Sequence, residues 1–166
     1  MRAILGPLVI AVILVGCGGA AGTQPPSASV EASTSGTLGG SVTYQVDGAP
    51  ATTEVDVVAD GAGLSGSAVS TFATGTHTVD VECAAAADGG WMLGGKVEST
   101  TIPGETAGAW SAVIVRDGSP QQIGIWLSAD PEAGDTCDAF LASIDPATLD
   151  ASAFSDIDSG ELIPPG

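Results

Sequence analysis

The chain has 166 residues, three Lys or Arg against twenty Asp or Glu, and a formal charge of −17. That balance excludes nucleic-acid binding, which needs clustered cations against phosphates, and it repels anionic lipid headgroups. Hydrophobic residues make up 44% of the chain, enough for one domain with its own core.

Arg2 precedes a thirteen-residue apolar run, Ala3 to Val15, which stops at Gly16-Cys17. A charged start, an apolar core and small residues before a cut form the layout of a secretory signal. At ~1.5 Å per residue, such a run is too short for ~30 Å of hydrocarbon. The stretch Leu14-Val15-Gly16-Cys17 resembles the lipobox of bacterial lipoproteins. The resemblance implies a signal peptide over residues 1–16 and a diacylglyceryl group on the Cys17 thiol, with or without an amide-linked chain such as palmitate. It also implies a lipid anchor in the cell membrane with the chain on the extracytoplasmic side. Two acyl chains are what stable anchoring requires.

Residues 17–38 are the lipidated cysteine and a Gly, Ser, Thr, Ala and Pro-rich tether. Twenty residues of such chain span ~25 Å, which lifts a domain clear of headgroups. Residues 39–166 are read as a single β-domain. Outside the cytoplasm two thiols usually oxidise, so Cys83 and Cys137 are expected to pair; two free buried thiols are the other reading.

From Gly39 the chain reads as strands separated by turns. Asp-Gly occurs at Asp47-Gly48, Asp60-Gly61, Asp88-Gly89 and Asp117-Gly118. This dipeptide suits a type I′ hairpin, whose two central residues need positive φ. Further turns fall at Thr74-Gly75 and around Pro103-Gly104. Between them Val42, Tyr44 and Val46 alternate with polar residues, as do His77, Val79, Val81 and Cys83, which places Cys83 on the buried face. Strands are expected over 40–46, 50–59, 63–73, 76–85, 90–100, 108–116 and 120–128, with a short eighth over 157–163. Short connections make sequence neighbours antiparallel neighbours. The expected fold is all-β: an antiparallel meander of seven or eight strands, closed or nearly closed into a small barrel, with a β-sandwich as the alternative. A short helix near 135–144, capped by Asp135 or Thr136, is expected to bury Phe140 and Leu141 and to be stapled by Cys137.

Candidate chemistry is sparse. His77 is the one histidine, and no G-x-S-x-G elbow accompanies it. It reads as a partly buried strand residue beside a turn. The pairs Glu54/Asp56 and Asp80/Glu82 share a strand face and read as solvated. The run Asp156-Ile157-Asp158-Ser159-Gly160-Glu161 starts like a calcium loop, but its glycine comes one position early and the distal Glu is missing. No metal site and no cofactor are expected. Trp91, Trp110 and Trp126 could bind a ligand by stacking, though core packing is the commoner role. Gly94-Gly95 within a strand signals a bulge or a close approach.

The segments Cys83 to Val97 and Val113 to Pro120 resemble small exported β-domain proteins of high-GC bacteria. That resemblance implies the fold and carries no activity. The functional expectation is a non-catalytic envelope or surface binding module, monomeric, whose acidic surface attracts cations or a basic partner. The alternative is a small-molecule-binding barrel with an apolar cavity of ~300 Å³ or more, lined by Trp91, Leu93 or Val81. An enzyme is not expected.

Overall fold

The computed structural model describes residues 36–60, 63–87, 89–128 and 135–164. The stretch read as a signal peptide, Cys17 and the part of the expected tether up to residue 35 lie outside the described residues. So do the Gly61 half of one Asp-Gly turn and the Asp88 half of another.

Eight antiparallel strands follow one another: β1 (Gly36–Val46), β2 (Ala49–Asp60), β3 (Gly63–Phe72), β4 (Gly75–Ala87), β5 (Gly90–Thr100), β6 (Trp110–Arg116), β7 (Gln122–Leu127) and β8 (Ser155–Leu162). Each pairs with the next, and β8 returns to β1, so the sheet closes into a barrel. A short helix α1 (Cys137–Ala142) and a 3₁₀ turn (Ala151–Ala153) lie between β7 and β8. The meander, the closure and the helix expected from sequence are all present.

Period-two patterning drives the strands. In β2 the residues Ala51, Thr53, Val55, Val57 and Ala59 are buried, and the residues between them are exposed. β1 starts at Gly36, inside the stretch read as tether. The reason is Leu38, which is buried in the core on a strand paired with β2 through Leu38↔Val57. At Asp47-Gly48 both residues take positive φ, 52° and 79°, as a type I′ hairpin requires. Asp117-Gly118 does not behave this way. Neither residue has positive φ, because the link between β6 and β7 runs through residues 117–121 and is too long for a two-residue hairpin.

The barrel has two cores. Inside it Val42, Val55, Val57, Val79, Val81, Trp91, Leu93, Val113 and Leu162 fill the space. Eight strands leave an interior just wide enough for such side chains to meet. Outside it, Met92, Ala112, Ile114 and Trp110 are covered by Phe140, Leu141, Ile144 and Phe154 from the segment that carries α1. This explains why Trp110–Val115 is dense in apolar residues: the strand is buried on both faces.

A bulge sets the outer core. Val81 pairs with Gly95 and Cys83 with Gly94, so Glu82 is the extra residue. One extra residue flips every later side chain to the opposite face. Cys83 therefore parts from Val79 and Val81 and joins the outer cluster, where it bonds Cys137. Thr136 caps α1, its Oγ1 accepting from the Ala139 amide at 3.2 Å. Gly94 lets the helix dock, since a Cβ there would lie 2.9 Å from Leu141. Trp110 stacks on Phe140 with ring centroids 5.5 Å apart, and Lys96 Nζ sits 4.0 Å from the Trp110 ring centroid. The Arg116 guanidinium lies 3.5 Å from the Phe154 ring centroid and donates to the carbonyls of Pro146 and Leu149.

The disulfide closes a separation of 54 residues, which constrains the unfolded chain by about 4 kcal/mol. Replacing Cys83 and Cys137 by Ser together is expected to lower the unfolding free energy by about 2–4 kcal/mol in denaturant titration, with the strand circular dichroism retained. An unchanged midpoint would mean that packing alone holds the helix segment.

Candidate functional site

Strand direction puts four chain segments at one end of the barrel: the β1–β2 turn, the β3–β4 turn, the β5–β6 loop, and the place where β7 ends and β8 begins. Just inside this mouth the apolar filling gives way to polar side chains. Tyr44 Oη lies 2.9 Å from Thr53 Oγ1, which lies 2.9 Å from Ser70 Oγ. Ser70 is opposite His77 in the β3–β4 register, and His77 is opposite Thr100 in the β4–β5 register. A second bulge, at Glu98, aligns Val79 with Val97 and Thr78 with Ser99, and so brings Thr100 beside His77.

His77 is at the centre. Its Nδ1 lies 2.7 Å from Glu105 Oε2 and its Nε2 lies 3.0 Å from Ser111 Oγ. An ionised carboxylate only accepts, so Nδ1–H donates to Glu105, and in the neutral ring Nε2 accepts the Ser111 hydroxyl proton. Thr100 Oγ1 donates to the same Glu105 oxygen at 2.8 Å and accepts from the Ile102 amide at 3.0 Å. Thr53, Ser70, His77 and Ser111 are each 1% exposed or less. At that depth an unmade hydrogen bond costs about 1–3 kcal/mol, and each of these groups has a partner. Burial pushes the Tyr44 phenol above its ordinary value, and the bonds to Thr53 and Ser70 only partly oppose this.

Above this polar layer lies a cavity of about 280 Å³, lined by Tyr44, Val46, Phe72, Ile102, Ile125 and Leu127, among others, and by Glu105. It forms where the sheet is least complete. β7 and β8 share only the pairs Gln122↔Asp156 and Ile123↔Ser155, so the far end of β7, paired with β6 on one side, has no β8 partner on the other. The 3₁₀ turn fills part of that gap. Gly124 permits its approach: a Cβ there would lie 2.8 Å from the Ala153 carbonyl oxygen and 3.2 Å from the Phe154 ring.

The tryptophans named from sequence do not converge. Trp91 is inside the barrel core, Trp110 lies under α1, and Trp126 is an exposed side chain at 38%. None of the three lines the cavity, and neither do Leu93 or Val81, which are packed in the core. His77, read as partly buried, is 1% exposed. Its partners Glu105 and Ser111 come from a loop and from a dense apolar strand, and no local motif marks either one. Glu54, Asp56, Asp80 and Glu82 are exposed as expected. The run read as a possible calcium loop is strand β8, in which Asp156 and Asp158 accept from Gln122 and Gln45. Among the described residues no group of three or more His, Cys, Asp or Glu could hold a metal ion.

Ser111, His77 and Glu105 are bonded in the order of a hydrolytic triad. A nucleophile must reach the atom it attacks. Ser111, the second residue of β6, is 0% exposed and does not line the cavity. In this conformation the set acts as a polar brace that fixes the Glu105 carboxylate at the mouth. No protein family, curated protein or solved structure matches the chain.

His77→Leu keeps much of the side-chain volume but strands Glu105 and Ser111, and is expected to destabilise the fold by about 2–4 kcal/mol. Ser111→Ala removes one hydroxyl, and about 1 kcal/mol is expected. Urea unfolding of the two variants checks the order. Equal effects near zero would mean that water already reaches this layer.

Proposed function

We propose that this chain is a lipid-anchored extracytoplasmic protein, a non-catalytic binding module that holds a small molecule at its barrel mouth. The observation that carries the binding reading is the cavity itself. It is walled largely by apolar side chains and holds one braced carboxylate, while Val81, Trp91 and Leu93 belong to the buried core and do not line it. The cavity is small, so it suits a compact ligand or the tip of a larger partner. The lipid anchor rests on Leu14-Val15-Gly16-Cys17 at the end of the apolar run. The acidic surface favours cations or a basic partner and disfavours nucleic acid. The non-catalytic reading is supported by the burial of Ser111 and His77.

Two treatments of the full chain test this. Cys17→Ala is expected to release the domain from the membrane or to leave the precursor unprocessed; membrane retention with unchanged acylation would refute the anchor. A fluorophosphonate probe is expected to leave Ser111 unlabelled in peptide mapping. Its stoichiometric attachment to Ser111 would make the protein a hydrolase.

A further inference from the structure

We propose that the mouth cavity selects a small organic ammonium ion with an apolar body. This deepens, and rests on, the reading of the mouth as a binding site. Glu105 is the one ionisable acid or base among the residues that line the cavity, apart from the Tyr44 phenol. Both of its hydrogen bonds, from His77 and Thr100, fall on Oε2. Oε1 has no partner among the described residues and is not a sealed atom, since the one buried polar side-chain atom left unpartnered there is Trp91 Nε1. The Glu105 side chain is 15% exposed, so its carboxylate is held in place with one oxygen available to a ligand.

Several physical arguments favour a cation. A carboxylate partly removed from water interacts more strongly with an opposite charge than one on an open surface, and is less screened by salt. A bound anion would face like charge, and a neutral apolar ligand would strip water from Oε1 without replacing its hydrogen bond. The fixed orientation of Glu105 also lowers the ordering cost of binding. The chain's formal charge of −17 raises the local concentration of cations in general.

Other features of the site narrow the class. A lone carboxylate among the lining residues does not make a metal site, and a metal ion would leave the apolar walls unused. Phe72 and Tyr44 place aromatic rings in the cavity lining, a surface compatible with a cation or an aromatic body. A primary ammonium has three donors, which Oε1 and the hydroxyls of Ser152 and Ser155 at the rim could share. The cavity of about 280 Å³ limits the ligand to roughly a single ring with a short chain.

The test uses three probes of similar shape and different charge: phenethylammonium, phenylpropionate and phenylpropanol. Each is titrated at neutral pH into the full chain with labelled Ile and Leu methyls. Phenethylammonium is expected to shift Ile102, Ile123, Ile125 and Leu127 saturably and to bind at least about tenfold more tightly than phenylpropionate. Glu105→Gln keeps an acceptor for His77 and Thr100, and is expected to weaken phenethylammonium about tenfold. If the ammonium and the carboxylate shift these methyls with equal affinity, the charge selection is overturned while the binding site stands. If no probe shifts them, the site itself falls. The parent comparison decides the matter even if Glu105→Gln does not fold.

Discussion

Closure of the sheet by β1 and β8 is the constraint on which the rest depends. Pairing Gly40↔Leu162 through Tyr44↔Ile157 joins the first strand to the last and removes both sheet edges. Eight strands then enclose room for about one set of inward side chains. Among the described residues, polar groups that point inward are paired by other inward groups, Trp91 Nε1 excepted, because an unmade hydrogen bond is costly away from water. The Tyr44–Thr53–Ser70 chain and the Ser111–His77–Glu105 chain meet that demand at one level of the barrel. The binding site follows from where the demand relaxes. At the β7–β8 seam strand pairing stops after two residues, and a cavity opens above the polar layer.

The outside of the barrel is built on a different principle. Most of the outer face carries acids and hydroxyls and needs no cover. The outer patch formed by Cys83 of β4, Met92 of β5 and Trp110, Ala112 and Ile114 of β6 is apolar, and side chains from residues 137–154 cover it. Lys96 and Arg116, the only Lys and Arg beyond Arg2, both serve that cover, one over Trp110 and the other over Phe154. The bulge at Glu82 links this layer to the barrel by turning Cys83 outward. The chain thus uses its few cations to hold its own structure together, and its excess acid is left at the surface.

How far the sequence could be read depends on how local each signal is. Strand alternation, the Asp47-Gly48 hairpin and the helix near Phe140 are written in short windows, the Cys83–Cys137 pair follows from the cysteine count, and all are present. The bulges at Glu82 and Glu98 depend on partner strands, so alternation gave the burial of Cys83 but not its place in the outer cluster instead of beside Val79 and Val81. The site was less legible than the fold. His77 bonds groups 28 and 34 positions away, and Ser111 sits unmarked inside an apolar strand. The three tryptophans attracted attention by type, yet their places follow from face and register. Nothing local announces a cavity whose existence depends on where two distant strands stop pairing.

The most direct test of the sealed polar layer uses the chain's one tyrosine. Tyr44 is buried, and its phenol is held above the ordinary value near 10.0 chiefly by desolvation. With the folded value above the unfolded one, the stability tied to this group is complete below the unfolded value. It is lost as pH rises through the folded value. Phenolate absorbance, followed together with circular dichroism in an alkaline titration, reads this directly. The account predicts ionisation displaced above the ordinary value and accompanied by loss of the fold. A midpoint at the ordinary value, reversible and without structural change, would mean that water reaches Tyr44 and the barrel is not closed around it.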